Sequence, residues 1–483
     1  MNLNSAHSFQ LDWMVVMIYF ALVLFGYFNI VSASTDGAFT SYFDLSEPYG
    51  KQTVFIGLSI ISIVLILSID AKFYERFASI IYLISMIVLA GLFVFGKKVN
   101  GAMSWYEIGG ATLQPSEFAK FATALALAKY ISDLQTNIKD SIDQFRAALI
   151  VAVPAVLILL QNDAGSTLVF AGLIFVFYRE GIPQKYILFG ASLLIITVAT
   201  LKFSALIVTS IIASFIVIYQ LFFKRKKKKL TRSVLILIFC AGISFGTEWS
   251  FDNILQKHQK DRIEVWLKLE KDPEKLKIMK RNISYNLNES EKAIRSGGLT
   301  GKGFKEGTRT KGKFVPEQHT DYIFSTVAEE WGFLGSSAVV TLFMLLIGRI
   351  LFLAERHKSQ FSRAYGYGVA SIIFVHFLIN IGMVMGLIPT IGIPLPFFSY
   401  GGSGLLSFTI LVFIFLKRDE NRLNVWKITI LLFFQIRVFC KISTKIFHRC
   451  GNSFVLFSQQ KRVAHSGKSL LRKTSRLSNM PSV

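Results

Sequence analysis

The apolar positions of this chain fall into twelve blocks, near residues 12–32, 52–69, 77–95, 115–132, 145–161, 166–179, 186–201, 204–222, 233–248, 334–354, 365–387 and 402–417. Most approach the roughly 20 residues that a helix needs to cross a bilayer. The pattern predicts an all-α, polytopic integral membrane protein, a helical bundle of about 10–12 transmembrane helices. The first block lacks a basic leader and a small-residue cleavage site, so it is expected to remain as an anchor. One stretch breaks the rhythm. Residues 251–320 are polar, and a connection of that length inside a membrane protein points to a functional element. Gln256 to Lys292 carries Ile263, Trp266, Leu267, Leu269, Leu276 and Ile278 among charges, which predicts amphipathic helices at the membrane surface. The chain therefore reads as N-terminal transmembrane helices over 1–250, a large extracytoplasmic loop over 251–320, C-terminal transmembrane helices over 321–425 and a basic tail over 426–483.

Composition narrows the class. Only 17% of residues are charged, against roughly 25% in an ordinary soluble domain, and 52% are hydrophobic, which argues against a water-soluble globule. Three cysteines are too few for a disulfide scaffold. The net charge of +23 does not indicate nucleic acid, because about half of it, +12, lies in residues 417–483. Lys and Arg elsewhere report topology. KRKKKK at 224–229, Lys72/Arg76 and Arg356/Lys358/Arg363 fall on one side if the blocks alternate, which makes that side cytoplasmic. Both termini then face the cytoplasm and the long loop faces outward, its own charge balance of +6 being exempt at that length.

Several polar groups interrupt the apolar pattern. QPSEFAK places Glu117 and Lys120 at i and i+3 on one helix face, either as a site or as a structural ion pair. Asp163 separates two short blocks, as a broken helix would. His376 sits mid-block, where a helix–helix hydrogen bond is the simpler reading. The segment VPEQHTDYIFSTVAEEWGFLG crowds Glu317, His319, Asp321, Glu329 and Glu330 at the start of a membrane block. Thr320 or Asp321 could cap that helix, whereas Glu329 and Glu330 lie deep enough to require partners or water. The glycines of SGGLTGKGFKEGT allow close backbone approach to a ligand, but Walker spacing is absent and no nucleotide site is expected. IPTIGIPLPFFSYGGSG, at 388–404, is a membrane-level loop that must be buried or line a wet cavity.

These motifs in this order resemble the shape, elongation, division and sporulation family over about residues 12–425, and GT at 307–308 with HTD at 319–321 resembles its elongation branch more than its division branch. The resemblance implies a peptidoglycan glycosyltransferase that polymerises lipid II with undecaprenyl pyrophosphate as leaving group, multi-pass in the bacterial cytoplasmic membrane. It implies a class B penicillin-binding protein, a transpeptidase, and other elongation-complex proteins as partners. Asp272, in a D-P dipeptide, falls at the position of the family's essential aspartate and is the candidate general base, with Asp261 as fallback because the spacer to Tyr285 is longer than usual. Glu117, Lys120, Arg262, Lys302, His319, Asp321, Glu329 and Glu330 are the candidate substrate-binding residues. A divalent cation, Mg or Mn, could assist the leaving group, though the sequence identifies no metal ligand, and no organic cofactor is expected. Ser104 stands where the family usually has Arg before Trp105. The family has ten spanning helices, so the extra pair is expected near 186–222. A lipid-linked precursor flippase and a non-enzymatic scaffold are the rival classes. The tail after Trp426 departs from the family and reads as a surface helix plus disorder, or as the product of a frameshift.

Overall fold

The computed structural model describes residues 11–35, 41–99, 101–108, 111–222, 227–255, 257–269 and 285–422. The expected base Asp272 and the basic tail lie outside the described residues, and so do residues 224–226 of the run 224–229. Among the described residues there are sixteen α-helices, thirteen of them on the apolar blocks and three in the polar segment 251–320. In chain order they are α1 Trp13–Ser34, α2 Pro48–Ser68, α3 Ala71–Phe95, α4 Pro115–Ile131, α5 Ser141–Leu160, α6 Ala164–Phe170, α7 Ile174–Glu180 and α8 Lys185–Phe203. They continue as α9 Ala205–Phe222, α10 Lys227–Asn253, α11 Lys257–Leu267, α12 Tyr285–Ser296, α13 Thr308–Lys311, α14 Ile323–Glu355, α15 Gln360–Val384 and α16 over 402–422.

Nine of the described helices are long and apolar enough to cross a bilayer. Together with the 17-residue α4, the α6–α7 pair and α16, they account for all twelve blocks. Local chemistry sets the starts. Asp12 and Asp70 cap α1 and α3 by accepting from Val15 N and Lys72 N, and proline opens α2 and α4, where its missing N–H costs nothing. Asp163 does interrupt a span: it caps α6, accepting from Ser166 N at 2.9 Å. Between α3 and α4 the chain adds a feature absent from the helical reading, an antiparallel meander of β1 Lys97–Val99, β2 Ala102–Ile108 and β3 Ala111–Leu113.

Burial separates a core from a flank. Of the most apolar window of α15, 72% is buried, against 6% in α8, 11% in α9 and 6% in α10, so these three helices form a lipid-facing annex. Only Ser204, with φ 72°, separates α8 from α9. The core is knotted by Tyr19 of α1, whose ring meets Phe397 and Phe413 edge-on at 5.2 and 5.1 Å and whose hydroxyl pairs with Thr409 Oγ1 at 2.8 Å. Ile393, Leu395, Phe397 and Phe398 are all buried, so the proline-rich loop 388–404 packs into protein.

Candidate functional site

The site has a buried floor and a polar rim. In the floor, Lys120 and Glu117 are both 2% exposed, with Lys120 Nζ 2.5 Å from Glu117 Oε1. Lys120 also reaches His376 Nε2 at 2.9 Å, and its ammonium lies 5.6 Å from the centre of the Phe408 ring. His376 Nδ1 lies 3.2 Å from Pro394 O. A carbonyl only accepts, so Nδ1 carries the proton and Nε2 offers its lone pair to Lys120, which assigns a neutral imidazole. The sequence foresaw a pair; the structure makes it a triad spanning α4, α15 and the loop 388–404. Ser407 Oγ donates to Glu117 O at 2.6 Å and joins α16 to it.

Asn380, one turn after His376, was missed by the sequence reading. Its Nδ2 donates to Asp321 O and Ile393 O, both at 2.7 Å. A polar residue at i+4 from His376 inside an apolar helix was the available signal.

The rim centres on Asp321, which interacts electrostatically with Glu317, Asp163 and Arg262. Burial, with help from Glu317 and Asp163, pushes the Asp321 carboxyl up to about 7, and Arg262 opposes the rise. Asp163 is held by Gln114 Nε2 at 3.2 Å. Arg262 Nη1 donates to Thr390 O at 3.2 Å and Trp266 Nε1 to Leu387 O at 3.1 Å, so α11 is bonded to the main chain just after α15. Asp261 is its half-buried neighbour. Neither Thr320 nor Asp321 caps α14: the cap position is Tyr322, without a side-chain bond, while Thr320 Oγ1 donates to Glu317. His319 lies against the Tyr400 ring, and burial draws its pKa down, aided by Lys313, so it is neutral near pH 7.

Glu329 and Glu330 do not face a water-filled site. Glu329, fully buried, accepts at Oε1 from Lys302 Nζ (2.7 Å), Arg309 N (3.0 Å), Thr308 Oγ1 (3.3 Å) and Ser296 Oγ (3.4 Å). At Oε2 it accepts from Thr310 N (2.9 Å) and Thr310 Oγ1 (2.8 Å). Lys302 is therefore engaged by protein. Glu330 accepts from Ser32 Oγ of α1. The glycine-rich segment approaches protein too. Gly332 breaks α14 with φ 63° and ψ −156°, which frees carbonyls and amides inside a span. Lys302 N and Gly303 N donate to Glu329 O and Glu330 O, while Phe333 N and Leu334 N donate to Gly298 O and Leu299 O. These four bonds with the loop satisfy main-chain groups on both sides of the break. Among the described residues no cluster of three or more His, Cys, Asp or Glu could hold a metal ion, so no step is drawn through one.

Fold and site together define a polytopic membrane protein with a charged triad buried in its bundle and a long polar loop stitched to one broken helix. The family model described as Cell cycle protein, which joins FtsW, RodA and SpoVE, matches residues 12–217 and 205–423. The chain belongs to that family, the shape, elongation, division and sporulation proteins. It is 31% identical over 354 residues to the peptidoglycan glycosyltransferase MrdB of Escherichia coli K12, covering 73% of this chain and 80% of that one. To the peptidoglycan glycosyltransferase RodA of Treponema pallidum it is 30% identical over 424 residues, 82% of this chain and 94% of that one. Two solved structures share the fold at 24% identity, each covering 86% of this chain and 98% of the other. One is a chain of a peptidoglycan synthase complex that coordinates polymerization and crosslinking (TM-score 0.62), the other the rod shape determining protein RodA of Thermus thermophilus (TM-score 0.55). The two matched stretches overlap at 205–217, on α9 of the annex where the sequence places its extra helices.

Proposed function

We infer that this membrane protein is a peptidoglycan glycosyltransferase that polymerises lipid II into glycan strands. The observation that carries this is the match to peptidoglycan glycosyltransferases over 73% and 82% of the chain, at 31% and 30% identity. In this reading Asp272 takes the proton from the acceptor sugar hydroxyl as that oxygen forms its bond to the donor's anomeric carbon. The bond from that carbon to the pyrophosphate breaks, and undecaprenyl pyrophosphate leaves with the electron pair. Cations must meet the developing charge, and Arg262 at the rim and Lys120 in the floor are supported by their family positions. A class B penicillin-binding protein and the elongation complex are its partners, the long loop faces outward, and both termini face the cytoplasm.

The test incubates the purified protein with lipid II and the transpeptidase, with and without EDTA. Glycan ladders are expected from the wild type and none from Asp272→Ala; equal ladders from both would move the base elsewhere, with Asp261→Ala as the next variant. Ladders that survive EDTA remove the divalent cation. A wild type that moves lipid II between leaflets but makes no polymer is a flippase, the reading that buried charges and broken helices also accommodate.

A further inference from the structure

Arg309 links two parts of the molecule that the sequence never paired. Its main-chain N–H is fixed on Glu329 at 3.0 Å, and its guanidinium bonds Glu289 of α12. Glu289 is 6% exposed and also takes Lys292 Nζ at 2.6 Å. At its other flank α12 is tied to α15, through Ser290 Oγ donating to Val384 O at 3.1 Å. Helix α12 begins 13 residues after Asp272 in the sequence. Its seat therefore fixes one end of the segment that carries the expected base. That seat is tied, through Arg309, to a carboxylate buried in a membrane-spanning helix.

We propose that Glu329, Arg309 and Glu289 form a positioning relay that transmits the register of α14 to α12 and so sets the end of the segment bearing Asp272. The proposal rests on the polymerase reading for its kinetic consequence, but its structural half does not. A half-buried ion pair bonded at both ends holds geometry better than it adds stability, because solvent screening, side-chain ordering and partial desolvation offset most of the attraction. Loss of the relay should therefore slow turnover more than it weakens lipid II binding.

The experiment uses the full chain in detergent or lipid, as wild type, Arg309→Gln, Glu289→Gln and the swap Glu289→Arg/Arg309→Glu. Hydrogen exchange is followed over 285–296 and over 323–331, and kcat and KM are measured with lipid II. Each single variant is expected to lose about tenfold in protection over 285–296 while 323–331 keeps its own, a local opening. Each should also lose about tenfold in kcat at nearly constant KM, and the swap should recover a third or more of it, as a directly coupled pair does. Unchanged protection over 285–296 in both singles, or a swap no better than the worse single, overturns the relay. Wild-type protein that makes no glycan overturns the polymerase reading and with it the kinetic half of the proposal.

Discussion

The main chain of Gly301 lies so close to that of Glu330 that a Cβ at Gly301 would sit 2.1 Å from the Glu330 carbonyl oxygen. Gly301 also has φ +80°, where an L side chain is strained. Steric overlap and strain coincide where the loop replaces the broken hydrogen bonds of α14. Gly301→Ala is expected to cost about 2–4 kcal/mol and lower the melting temperature in detergent, combining overpacking with a strained dihedral. Gly298→Ala is the control, strained at φ +58° but with open space around its Cβ, and should cost about 1 kcal/mol. Equal losses in differential scanning fluorimetry would show that the close approach is not what the glycine serves.

The Glu117–Lys120 pair separates structure from function. Lys120→Met leaves a buried carboxylate without its cation and should destabilise by about 3–5 kcal/mol, whereas Glu117→Leu/Lys120→Met removes both charges and should recover much of that loss. Polymerisation should stay absent in the double variant if Lys120 meets the substrate. Recovery of stability and activity together would make the pair purely structural.

Asn380 ties α15 to the carbonyls of Asp321 and Ile393 through a single amide. Asn380→Leu keeps the volume and removes both donors. A cost of about 1–3 kcal/mol is expected, since one part-buried and one buried carbonyl lose a partner. A variant as stable as wild type would mean that water replaces the amide.

How much of this could be read from the chain depends on the range of the interaction. The helices were legible because lipid imposes a length and an apolar composition on each segment independently. Asp163 as a break and Glu117–Lys120 as a pair were legible because both are local. The partners of Glu329 were not: they lie 19 to 33 residues away and include two main-chain amides that carry no mark in the sequence. The glycines pointed correctly to a close approach, yet composition does not tell a ligand from a broken helix. The capping expectation for Thr320 and Asp321 failed because Glu317 captures Thr320 and the Asp321 side chain turns toward the acids and Arg262 at the rim.

Asp321 gives the rim a pH dependence whose sign is fixed. Its carboxyl is raised from 3.8 to about 7, so between those values the folded protein holds a proton that the unfolded chain has released. Stability contributed by this group is therefore full below about pH 4, declines as pH rises, and is lost above about pH 7. The shift corresponds to at most about 4 kcal/mol, and partial exposure should reduce the measured value to about half. Asp321→Asn, which stays neutral, should flatten the decline, so its melting temperature relative to wild type should rise from pH 5 to pH 8. Activity should move the other way if the carboxylate binds substrate or orders Arg262: wild-type turnover climbs through about pH 7 and the Asn variant shows no such step. Parallel melting curves for the two proteins across that range would show that Asp321 is ionised throughout and that the acids around Arg262 do not share a suppressed charge.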